Sequence, residues 1–213
     1  MKTTLKITQL LAALFAGAAL TASADTTYTS QSAFLSALSP GYYFNNFSSL
    51  TAFAAPASES FSGGTPTFGY TITAPASGLF VNQDAGGLKA IGNYAAADHV
   101  LLSYTSGNVY AVGAEYYLTD INGNPQTGNT TVTYNDSTTG LIPSSASVSQ
   151  SPYAFFGVIS SSPITSVDVF DNGTAHFVNI ANLYVGVAEV PEPSAGMLLL
   201  AGIAALAGAR RRR

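Results

Sequence analysis

The sequence predicts an all-β protein, an antiparallel β-sandwich that is jelly-roll-like and carries one short N-terminal helix. Short runs of aromatic and β-branched residues recur along residues 25–188, and glycine, proline, asparagine and serine separate them. No repeat of fixed period joins these runs, which argues against a solenoid. A closed barrel is the alternative arrangement of the same strands.

One helix is expected over residues 29–38. Ser30 is a suitable N-cap, because its hydroxyl can accept a hydrogen bond from a free backbone N–H of the first turn. Phe34 and Leu38 are four residues apart and would share one apolar face. Pro40 cannot continue the helix, so the helix ends before it.

The strands are expected in nine short segments. Each segment is rich in aromatic, β-branched or alternating apolar residues and is bounded by turn residues. The segments are 42–47, 67–73, 78–82, 100–105, 109–119, 130–135, 153–160, 164–170 and 175–187. Asparagine and glycine at 122–125 and 171–173 supply the turn chemistry that such connections need.

The first 24 residues are typical of a secretory signal peptide. Two lysines begin the segment, residues 10–20 form an apolar run, and Ala22 and Ala24 provide a small-x-small cleavage site before Asp25. These three parts stand in the order that export requires. The pattern predicts an exported chain whose mature form begins at Asp25.

Residues 189–213 form a separate C-terminal segment. Pro191, Glu192 and Pro193 favour extended backbone and exclude a helix. Residues 194–209 are apolar or small, and as a helix they would reach about 24 Å against a bilayer core of about 30 Å. The sequence therefore predicts a marginal transmembrane helix, and a permanent single-span anchor is the alternative to a processed one. Four arginines follow as a stop-transfer block that stays cytoplasmic: Arg210, Arg211, Arg212 and Arg213.

The order of proline–glutamate–proline, short apolar helix and terminal arginines resembles the PEP-CTERM sorting signal. The resemblance implies an exported protein of a Gram-negative bacterium that makes extracellular polysaccharide. It also implies a transient stay in the inner membrane, cleavage near Pro191 to Pro193 by an exosortase, and release into the cell envelope or biofilm matrix. It implies no activity for residues 25–188, because unrelated passengers share this signal.

The passenger domain, residues 25–188, is strongly acidic. Between residues 25 and 190 there are ten acidic residues and one basic residue, Lys89, which gives a net charge of −9. A surface of this charge repels phosphate backbones, so nucleic-acid binding is excluded. The chain has no cysteine, which excludes disulfides, thiol nucleophiles and thiolate metal sites.

The sequence contains no recognisable catalytic constellation. His99 and His176 lie far apart, and Asp98 next to His99 would point to the opposite face of a strand. Glu59 and Glu115 are the two glutamates of the passenger domain, but nothing in the sequence pairs them as a glycosidase requires. We therefore expect no enzyme, with a secreted polysaccharide hydrolase as the alternative.

Two groups of oxygen-bearing side chains are candidates for a metal site. Asp120, Asn122 and Asn124 stand at alternate positions, as at the start of a calcium loop, and Asp168 with Asp171 forms a second group. In the first group glycine is the fourth residue instead of the sixth, and no glutamate stands twelfth. A tight turn explains the same residues, so we expect no cofactor and keep calcium as the alternative.

Tyrosine and phenylalanine are plentiful, with 12 of each, and could stack on sugar rings. The pairs at 42–43 and 116–117 would each direct one ring outward from a strand, although core packing explains most aromatic residues. We expect a non-enzymatic surface or matrix protein with a structural or binding role. A carbohydrate- or calcium-binding module of the matrix is the alternative.

Overall fold

The computed structural model describes residues 25–188, except 85, 136, 145–152, 172 and 174–175. The predicted signal peptide, the Pro191–Glu192–Pro193 motif, the apolar tail and the terminal arginines lie outside the described residues. So does the predicted domain boundary at residue 189. Within the described part of the chain, no helix is both long and apolar enough to cross a membrane.

The described residues form one helix and fourteen strands. In chain order they are β1 (Thr26–Tyr28), α1 (Gln31–Ser36), β2 (Tyr43–Asn45), β3 (Ser58–Gly63), β4 (Phe68–Thr73), β5 (Leu79–Gln83), β6 (Lys89–Asn93), β7 (Val100–Tyr104), β8 (Ala111–Thr119), β9 (Pro125–Gln126), β10 (Gly128–Tyr134), β11 (Thr139–Ser144), β12 (Ala154–Ile159), β13 (Ser166–Asp171) and β14 (Phe177–Gly186).

The strands are divided between two antiparallel sheets. The first sheet has the order β1-β12-β8-β14-β6-β5, with β2 also paired to β14 and β9 to β8. The second sheet has the order β11-β10-β13-β7-β4-β3. Both orders are open-ended among the described strands, so the two-sheet prediction is confirmed and the closed alternative is wrong.

One apolar core lies between the two sheets. It combines side chains from central strands of both sheets, which alternate along each strand between the core and the outer face. On β8 the core-facing residues are Val112, Ala114, Tyr116 and Leu118, all at most 1% exposed. The outer face of the same strand therefore carries the alternate residues, from Gly113 through Glu115 to Thr119.

The helix covers part of the outer face of the first sheet. Ser30 caps α1 by accepting a hydrogen bond from the backbone N–H of Ala33, and Phe34 is completely buried. Phe34 reaches the sheet because Gly113 and Gly157 lie beneath it. A Cβ atom on either glycine would lie within 3.0 Å of the Phe34 ring. The helix is shorter than the predicted segment, 29–38.

Each of the nine predicted segments overlaps one strand, and five further strands lie outside them. The additional strands are β1, β3, β6, β9 and β11. Most of them lack the expected apolar alternation: β3 reads SESFSG and β6 reads KAIGN. Their pairing partners, rather than their own composition, define these segments as strands.

Candidate functional site

A cleft of about 230 Å³ opens on the outer face of the first sheet. It lies where β5, β6, β8 and β14 meet, beside the β8–β9 loop. Its lining residues are Phe80, Asn82, Asn93, Tyr94, Thr119, Asp120, Ile121, Gly123, Phe177 and Asn179. The cleft is smaller than a typical drug-sized pocket, which starts at about 300 Å³.

Exposed apolar side chains line the cleft and its approach. The rings of Phe80 and Tyr94 have centroids 6.0 Å apart, and Phe53 continues the row at 6.4 Å from Phe80. Tyr94 is 56% exposed, Phe53 66% and Ile121, in the opposite loop, 83%. Phe53, Phe80 and Tyr94 form a continuous row of rings, and a contiguous exposed apolar patch of this kind marks a surface suited to ring stacking.

The floor of the cleft is polar. Asn179 donates through Nδ2 to the Thr119 hydroxyl at 3.1 Å and to the Phe177 carbonyl at 3.2 Å. Its Oδ1 accepts no hydrogen bond from the described residues. Asn82 lies beside Gly123, whose φ of 80° allows the loop to approach the amide. The cleft thus combines apolar walls with amide and hydroxyl groups.

A buried amide positions the loop that carries Tyr94. Asn93 is 2% exposed, donates through Nδ2 to the carbonyls of Ala95 and Asp98 at 2.7 Å each, and accepts from the Val178 N–H at 2.8 Å. The side chain therefore ties the β6–β7 loop to the start of β14. Tyr94 is thereby held at the edge of the cleft.

The Asp98 carboxylate fixes the same loop from the other side. It accepts hydrogen bonds from the backbone N–H groups of Ala76, Ser77 and His99 and from the Ser77 hydroxyl, at 2.7 to 3.0 Å. Burial raises the pKa of Asp98, but these hydrogen bonds outweigh burial and place the pKa below its ordinary value. Asp98 is therefore a structural carboxylate of this loop.

The first group of predicted metal ligands closes the β8–β9 turn. Asp120 Oδ1 accepts from the backbone N–H groups of Asn122 and Asn124 at 2.8 and 2.9 Å, and Oδ2 accepts from the Asn124 amide at 3.0 Å. The Asn124 side chain, followed by its backbone N–H, lowers the pKa of Asp120. This geometry is that of a turn, and it presents Asp120 and Ile121 to the cleft.

The fold does not bring together the second group of predicted metal ligands, Asp168 and Asp171. Asp168 lies 3.0 Å from Nδ1 of His99, whose ring stacks on Phe170 with centroids 4.6 Å apart. Asp171 lies 3.1 Å from Nδ1 of His176 and also accepts from the Gly173 N–H. Among the residues that the structure describes, no three histidine or carboxylate side chains could share a metal ion.

The two candidate glutamates lie on different sheets. Glu59 is on the edge strand β3, and Glu115 is on the outer face of the central strand β8.

The two predicted tyrosine pairs also differ from one another. Tyr42 is 37% exposed, whereas Tyr117 faces outward but is only 3% exposed, because it packs against Tyr153 at 4.7 Å.

Of the residues that line the cleft, the sequence singles out Asp120, and it does so as a candidate metal ligand. The other lining residues come from four distant parts of the chain and are unremarkable in their own segments. One available signal was an isolated large apolar residue inside a polar or small-residue loop. Tyr94 before three alanines and Ile121 within Asp-Ile-Asn-Gly-Asn are both of this kind.

Comparison with known families gives one match, at the C-terminus. Residues 189–213 match the PEP-CTERM protein-sorting motif, which confirms the resemblance drawn from the sequence. The motif implies recognition by an exosortase, a membrane protease, and sorting to the cell envelope or extracellular space. A comparison with curated proteins finds none that matches the chain.

Proposed function

Taking this sorting motif as the premise, we propose a non-enzymatic, carbohydrate-binding protein of the bacterial surface or polysaccharide matrix. Residues 1–24 are its signal peptide, and residues 25–188 are a passenger domain with jelly-roll-like connectivity. The tail anchors it briefly in the inner membrane until an exosortase cleaves near Pro191 to Pro193. The protein then acts in the matrix of extracellular polysaccharide, and this polysaccharide is its ligand.

The cleft is the observation that supports the binding role. Sugar rings have apolar C–H faces and a rim of hydroxyls, and they suit a site with exposed aromatic rings beside amides. Phe80 and Tyr94 supply the rings, while Asn179 and Thr119 supply hydrogen-bonding groups at the floor. A domain with one lysine offers little attraction to phosphate or lipid surfaces by comparison.

The test is retention of the purified protein on the producing bacterium's extracellular polysaccharide, measured by affinity electrophoresis. Tyr94→Ala should weaken binding about tenfold, since covering about 60 Å² of ring face at about 25 cal/mol/Å² contributes about 1.5 kcal/mol. Phe170→Ala, an aromatic deletion on the outer face of the second sheet, is the matched control and should bind normally. Equal retention of both variants would contradict the assignment of the cleft.

The same samples distinguish binding from hydrolysis. A hydrolase would release reducing ends from the polysaccharide during incubation, and Glu115→Gln or Glu59→Gln would stop the release. The proposal predicts stable retention without new reducing ends.

A further inference from the structure

Glu115 is a half-buried carboxylate without a basic partner among the described residues. Its Oε2 accepts a hydrogen bond from the Asn182 amide at 2.7 Å. Lys89, the single lysine or arginine between residues 25 and 188, donates instead to the carbonyls of Ser48 and Leu50. The two histidines pair with Asp168 and Asp171. The negative charge of Glu115 is thus left for a group from outside the domain.

Aromatic rings surround this carboxylate on the outer face. Phe155 is its cross-strand neighbour on β12, and the Phe155 and Tyr184 rings have centroids 6.4 Å apart. Burial raises the pKa of Tyr184, and the nearby charge of Glu115 raises it further. Burial and the hydrogen bond to Asp84 raise the pKa of Tyr153, and Glu115 adds a smaller effect. Glu115 is therefore close to three rings: Tyr153, Phe155 and Tyr184.

A break in strand β14 aims the amide at Glu115. The register of the β8–β14 pair shifts between Ala181 and Tyr184, and Asn182 has a left-handed φ of 45°. A bulge of this kind redirects a side chain that regular pairing would place elsewhere. The Asn182 hydrogen bond holds one oxygen of Glu115 and leaves the other, Oε1, for a ligand.

Glu115 and the three rings near it lie on the same face of the first sheet as the cleft. Asn82, at the cleft, lies near the Tyr117 hydroxyl, and the Tyr117 ring packs edge-on against Tyr153. Tyr153 in turn donates to Asp84 at 2.7 Å. This chain of contacts leads from the cleft to the rings around Glu115.

We propose that Glu115, with the rings of Tyr153, Phe155 and Tyr184, binds the ammonium group of an amino sugar. The proposal rests on the proposed function, because the amino sugar belongs to the glycan chain that occupies the cleft. A carboxylate attracts an ammonium ion, and aromatic faces attract it further through their quadrupoles. Asp84, Glu115 and Asp120 on this face would repel uronic acids, so the ligand class is a glycan with free amines.

The test compares glucosamine oligomers with N-acetylglucosamine oligomers of the same length, by titration calorimetry at pH 6 and low salt. The glucosamine oligomer should bind about tenfold more tightly. Glu115→Gln, which keeps an oxygen to accept from Asn182, should reduce its affinity to that of the acetylated oligomer and leave the latter unchanged. The matched control, Glu59→Gln, removes one charge from the other sheet and should leave both affinities unchanged.

Each outcome separates this inference from the proposed function. Equal affinities for the two oligomers, both lowered by Tyr94→Ala, would overturn the ammonium site and leave the cleft assigned. An amine preference lowered equally by Glu59→Gln and Glu115→Gln would also overturn it, because overall charge alone would then be responsible. If neither these oligomers nor the native polysaccharide binds, the proposed function fails and the inference fails with it.

Discussion

The Asn93 amide gives the sharpest prediction about how the cleft is held in place. Asn93→Ala removes three hydrogen bonds, two to the carbonyls of Ala95 and Asp98 and one from the Val178 N–H. Ala95 is exposed, so water can replace the bond to its carbonyl. The Asp98 carbonyl and the Val178 N–H belong to buried residues, and each group without a partner costs about 1–2 kcal/mol.

The expected loss is therefore about 3 kcal/mol in the free energy of unfolding. For a domain of this size that corresponds to a melting temperature lower by about 6–12 °C. Urea unfolding followed by circular dichroism measures the loss, with Asn46→Ala as control. Asn46 is exposed and accepts one 3.2 Å hydrogen bond from Ser48, so its substitution should cost about 0.5 kcal/mol or less. A cost for Asn93→Ala equal to that of the control would refute this account of the loop.

Three further predictions address other parts of the account. Because the folded-state pKa of Asp98 lies below its ordinary value, its stabilising effect is present above about pH 4 and lost as the pH falls through the folded-state pKa. Asp98→Asn should therefore lower the urea midpoint at pH 7, and its free energy of unfolding should fall less steeply than that of the wild type as the pH is lowered. An equally steep fall in both proteins would contradict this. Gly157→Ala places a methyl group 2.8 Å from the Phe34 ring and should cost about 1–3 kcal/mol in urea unfolding, whereas Gly107→Ala meets no atom within 4 Å and should cost little. Equal costs would argue against close packing of the helix. The intact mass of the protein from the envelope or medium should end within residues 190–194, and a mass that retains Arg213 in the membrane fraction would contradict processing.

The fold could be predicted where local pattern and tertiary role coincide. Strand β4 alternates between apolar and polar residues because one of its faces is covered. Strand β8 is largely apolar because both of its faces are covered. Both segments are among those that the sequence predicts. Strand β3 was missed because its serines face outward and its inner side holds only Phe61 and Glu59. Strand β6 was missed because small residues at Ala90 and Gly92 leave room for neighbours, and this removes the β-rich signature.

The cleft could not be predicted because it forms only when distant strands pair in the sheet. The registers of β5, β6, β8 and β14 bring Phe80, Gly92, Asn179 and Tyr117 into adjacent positions across the sheet. No local sequence motif encodes this arrangement of residues. The Asp120 turn is evident in the sequence, but the sequence does not show that the carboxylate oxygens accept hydrogen bonds from Asn122 and Asn124 in the folded loop.

Localisation of the ligand by NMR tests the central claim most directly. Backbone amide shifts of the ¹⁵N-labelled protein would be followed during titration with oligosaccharides released from the producing bacterium's extracellular polysaccharide. The account predicts saturable shifts at Phe80, Tyr94, Ile121 and Asn179, with little change on β3, β4 and β7 of the second sheet. Shifts confined to the second sheet, or no shifts at saturating oligosaccharide, would contradict a carbohydrate-binding cleft on the outer face of the first sheet.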